Sequence, residues 1–105
     1  MPVHYAPQTP SFRVARSSEL EGLAGRARLA VITFGQPVGE ALPALTSRFE
    51  LDTPETAARQ LYDVFHQCDS LGVDAIIVVM PPDEPPWRAV RDRLLRATRP
   101  INELT

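Results

Sequence analysis

The stretch from Thr53 to Val79, TPETAARQLYDVFHQCDSLGVDAIIVV, decides the architecture of the chain. Thr53 can cap a helix through its hydroxyl, and Pro54 stands at the first helical position, where no N–H is needed. Glu55 faces the positive end of the helix dipole. Ala57, Leu61, Val64, Phe65, Cys68 and Leu71 then recur every three or four residues as one apolar stripe. Gly72 offers a left-handed stop, with Val73 able to fold back on the last turn. Ala75 to Val79 follows without a polar residue, the pattern of a strand buried on both faces. A capped amphipathic helix that delivers such a strand implies an α/β layer fold with a largely parallel sheet.

Working outward, Leu29 to Phe34 is a second apolar run, broken only by Thr33 and closed by Gly35. It and Ala75–Val79 are expected in the sheet interior. Ser47 to Leu51 alternates, with Phe49 and Leu51 against Arg48 and Glu50, and predicts a half-exposed strand near an edge. Phe12 to Ala15 predicts a short first strand. Ser18 with Glu21 reads as a capping box opening a short helix over Leu20, Leu23 and Ala24, ended by Gly25. Pro37, Gly39 and Pro43 mark residues 36–46 as a loop. The last helix is expected from near Pro86 to about Thr98, with Trp87, Val90, Leu94 and Ala97 inward and Pro100 as its stop. Residues 1–10 hold three prolines and read as an extended arm, followed by one domain of about four strands over residues 11–105.

Composition fits this scale. A chain of 105 residues makes one domain, and its 28 Leu, Ile, Val and Phe residues suffice for a core. The net charge of −2 gives no strong pull toward nucleic acid or an anionic membrane. All 11 basic residues are arginine, which excludes P-loop capture, Schiff bases and a lysine general base. A single cysteine, no apolar run long enough to span a bilayer and no signal-peptide pattern make a cytoplasmic location the expectation.

Candidate chemistry is sparse. His66 and Cys68 are two apart on a helix and face different ways, and His4 is the only other histidine, so no metal site is expected. Cys68 reads as a small buried hydrophobe and Tyr62 as a core edge. Gly35 and Gly39 lie where α/β folds place phosphate loops, but without the G-x-G-x-x-G spacing or a capped helix after them. An ordinary strand exit is the preferred reading, with a phosphate contact through backbone N–H groups as the alternative. Arg88, Arg91, Arg93, Arg96 and Arg99 share the last helix and its exit with Asp92. Two i,i+4 pairs with Asp92 and no interleaved aromatics favour a solvated or domain-interface face over RNA contact.

Three segments carry a family resemblance. His4-Tyr5-Ala6-Pro7 resembles the end of the S-P-G-M-K-Y-R-H-Y-A-P linker of two-domain threonylcarbamoyl-adenylate synthases. Ala58-Arg59-Gln60-Leu61-Tyr62, with Asp69-Ser70-Leu71-Gly72-Val73-Asp74, is similar to that family's A-x-x-L-Y and D-x-L-G-V-D segment. Ala89 to Ala97 resembles its closing A-[IV]-x-D-R-L-x-R-A. The resemblance implies a Rossmann-like, non-catalytic C-terminal domain. The whole enzyme joins threonine, bicarbonate and ATP into threonylcarbamoyl-AMP and pyrophosphate for tRNA modification. Catalysis, with ATP and Mg, would belong to a YrdC-like domain in the same or a separate chain, so this chain alone is expected to be inactive. It also implies that His4 and Tyr5 are lid residues over the catalytic cleft. Asp92 and Arg93 would lie in the terminal-helix motif, in an ion-pair, capping or ligand-contact role. The family's Lys-Tyr-Arg is here Met1-Pro2-Val3, which places either a different lid or a cut within a longer protein at this point. The alternatives are a free-standing nucleotide- or anion-binding module and an oligomerisation domain.

Overall fold

The computed structural model describes residues 6–23, 28–36 and 46–103, with the side chains of 21–23 left out. Its strands are β1 (Ser11–Val14), β2 (Leu29–Thr33), β3 (Ser47–Glu50), β4 (Ala75–Val79) and β5 (Arg99–Pro100). The helices are α1 (Pro54–Leu71) and α2 (Arg88–Ala97), with short 3₁₀ helices at Ser17–Leu23, Pro85–Trp87 and Ile101–Glu103. The five strands form one sheet in the order β3-β2-β4-β1-β5. Every pairing is parallel, from Leu29 opposite Ala75 to Phe12 opposite Arg99.

The handedness of parallel crossovers explains which layer lies on which face. The connection from β1 to β2 runs one way along the sheet; those from β3 to β4 and β4 to β5 run the other way. Right-handed crossovers therefore put α1 and α2 on one face and the Ser17–Leu23 helix on the opposite face. The core divides accordingly. Ala30, Ile32, Ile76 and Val78 pack with Leu61, Phe65, Val90 and Leu94. Val31, Ile77, Phe12 and Val14 pack with Leu20 on the other side. β2 and β4 are buried at every position, as their uninterrupted apolar runs require.

The α1 signals are realised as read. The Thr53 hydroxyl accepts from the Thr56 amide at 3.1 Å, and Gly72 adopts φ +68°. Leu71, the last residue of α1, departs from the expected stripe: it is 40% exposed, whereas Ala57, Leu61, Val64, Phe65 and Cys68 are buried. The short helix after β1 is 3₁₀ rather than α, and Glu19 closes its entrance. The Glu19 carboxylate accepts from the amides of Ala15 (2.8 Å) and Arg16 (2.9 Å), whereas the expected partner Glu21 has no described side chain. β5 is the strand beyond the expected four. The chain leaves α2 at Thr98 in extended conformation, and two residues pair with β1 before the next 3₁₀ turn.

Candidate functional site

The lead segment is tied to the domain body through the end of α1. Asp69 occupies the last turn of that helix, where the dipole favours cations and no basic residue stands. Its carboxylate is instead taken up by backbone donors: the Gln8 amide donates to Oδ2 at 3.1 Å and the Thr9 amide to Oδ1 at 2.9 Å. The Ser11 hydroxyl donates to the Thr9 carbonyl, and the Ile76 amide donates to the Pro10 carbonyl at 2.9 Å, which extends the β1–β4 ladder into the arm. Residues 8–10 therefore leave the body in a fixed direction.

The rest of that acidic motif is structural as well. Gly72 turns the chain, Val73 enters the core, and Asp74 fixes the start of β2. The Arg28 amide donates to the Asp74 carboxylate at 2.9 Å while the Asp74 amide donates to the Arg28 carbonyl at 2.8 Å. Beside Asp69, the buried Cys68 thiol is pushed up from 9.0 to about 12, first by burial and then by the neighbouring carboxylate. That keeps it protonated and unreactive. His66 is exposed, with Nδ1 2.8 Å from the Tyr62 carbonyl oxygen, so it and Cys68 do face different ways. Among the described residues, no group of three or more His, Cys, Asp or Glu residues could hold a metal ion.

Of the two terminal-helix residues, Asp92 stays on its own helix and Arg93 reaches the other motif. Asp92 pairs with Arg96 at 3.1 Å, one of the two i,i+4 pairs read in the sequence. Arg93 crosses to α1, donating to the Ala58 carbonyl at 3.3 Å with its guanidinium 5.8 Å from the centre of the Tyr62 ring. The A-x-x-L-Y and terminal-helix segments thus meet at this contact. His4, Tyr5 and Gly39 lie outside the described residues. Gly35 adopts φ +85°, and a Cβ there would stand 3.4 Å from the Asp52 carbonyl oxygen, so the position suits glycine at the turn out of β2. Beyond it, Gln36 spans the gap between β2 and β4. Its Oε1 accepts from the Phe34 amide and its Nε2 donates to the Met80 carbonyl, each at 2.6 Å.

Asp69 and Asp74 escaped attention as site residues because an acid near a helix end looks like ordinary solvated surface. Their role depends on where the arm and β2 pass. No helix among the described residues is long and apolar enough to cross a membrane. A comparison with curated proteins finds no match. The family model of the threonylcarbamoyl-AMP synthase C-terminal domain matches residues 1–98. That span contains all three segments, the docked arm, both helices and four of the five strands, and the chain belongs to the threonylcarbamoyl-AMP synthase C-terminal domain family.

Proposed function

We propose that this domain is a non-catalytic platform that gates or stabilises the catalytic domain of the synthase by holding the segment leading into it. The observation that carries the reading is the capture of the Gln8 and Thr9 amides by Asp69. A segment fixed at one end to a rigid body samples far fewer positions than a free linker, so less ordering entropy opposes its closure over a neighbouring site. Its catalytic partner would be a YrdC-like domain, and ATP and Mg would act there. The arginine-rich face of α2 would be solvated or meet that domain.

The test is turnover of threonine, bicarbonate and ATP by the YrdC-like domain joined to this domain. Asp69→Ala is expected to lower the rate several-fold while the domain stays folded. An unchanged rate, with the Gln8 and Thr9 amides shown to be released, would remove the gating role.

A further inference from the structure

A cleft of about 470 Å³ opens at the carboxyl ends of β1, β4 and β5. This is the place in the sheet where a ligand crevice is expected. β1 exits toward the 3₁₀ layer while β4 exits toward α2, so adjacent connections diverge to opposite faces. The neighbouring gap between β4 and β2 is spanned by Gln36, whereas the gap on the β1 side remains open.

The lining has a definite chemistry. Arg13 and Arg91 both line the cleft, and among the described residues Glu19 is its one carboxylate. Each guanidinium is positioned by one nitrogen: Nη1 of Arg13 donates to the Thr98 carbonyl and Nη1 of Arg91 to the Pro81 carbonyl, both at 2.6 Å. Nε of Arg91 is 3.8 Å from an Asp83 carboxylate that is 93% exposed, a pair weak enough to yield to a competing anion. One oxygen of Glu19 is committed to two backbone amides, which leaves the other for a hydroxyl group. Leu95, one turn beyond Arg91, is 48% exposed and forms an apolar wall with Met80 and Ile101. Two fixed guanidiniums, an apolar wall and one hydroxyl acceptor within a volume of small-molecule size describe an anion carried on an apolar body.

We propose that this cleft binds a nucleoside monophosphate. Its phosphate lies on Arg13 and Arg91, its base lies against Leu95, and a ribose hydroxyl donates to Glu19. The site is independent of arm docking, so either reading can fail alone. Titration of the 105-residue chain with AMP, adenosine and inorganic phosphate, followed by calorimetry and NMR shifts, tests it. AMP should bind saturably with shifts centred on Ala15, Arg91 and Ile101, and adenosine and phosphate should each bind at least tenfold more weakly. Arg91→Gln should weaken AMP about tenfold to a hundredfold, as loss of a charge-assisted hydrogen bond predicts. Because Arg91 also holds the Pro81 carbonyl, Leu95→Asp at an exposed position provides a second variant, again with at least tenfold weaker binding. No saturable AMP binding at millimolar concentration would overturn the proposal. So would phosphate binding as tightly as AMP, or AMP affinity unchanged in both folded variants.

Discussion

Asp69 shows how one side chain can be placed against its local preference and retained by a distant partner. Its charge opposes the α1 dipole and the ionisation of Cys68, yet it satisfies two amides of the lead segment. Asp69→Ala is therefore expected to accelerate hydrogen exchange at Gln8 and Thr9 selectively, with about 1 kcal/mol or less change in global stability. Cys68 gives a pH prediction of definite sign. Its thiol titrates near 9.0 when unfolded and near 12 when folded, so above pH 9 the unfolded state has released a proton that the native state keeps. Stability should fall as pH rises through that window, by at most about 1.4 kcal/mol per pH unit. Chemical denaturation at pH 8 and pH 10.5 should show a smaller drop in Cys68→Ala than in the parent chain.

At the scale of elements, α1 was legible from end to end because its signals are local: a hydroxyl cap, a proline, a periodic stripe and a glycine stop. Thr53→Ala should cost about 1 kcal/mol in denaturant midpoint analysis through loss of the cap. Gly72→Ala should cost a similar amount, about 1 kcal/mol, through φ alone, since nothing lies within 4 Å of the added Cβ. The extra strand was illegible for the opposite reason. β5 is two residues long and contains Pro100, so it has no alternation to read and exists only because Phe12 and Arg13 pass beside it. In the 3₁₀ helix before β2, Glu19 closes the start through amides that precede it, a pairing the local pattern does not single out, while the Glu21 side chain of the expected box lies outside the described residues.

At the scale of the molecule, the α/β class followed from two buried strands and one amphipathic helix. The strand order did not, because nothing in Phe12–Ala15 says that it lies beyond β4 rather than beside β2. The motif residues were legible, but their association was not: Arg93 and Tyr62 are 31 positions apart and meet only when α1 and α2 pack on one face. The same holds for the arm and Asp69, about 60 positions apart in sequence. What emerges is a body that packs tightly and fixes its lead segment, and under the proposed function bond formation belongs to another domain. Pyrophosphate release from threonine, bicarbonate and ATP measures this division of labour most directly. The account predicts no release above background from this chain alone and release by a YrdC-like domain whose rate changes when this domain is joined to it; robust release by this chain alone would contradict it.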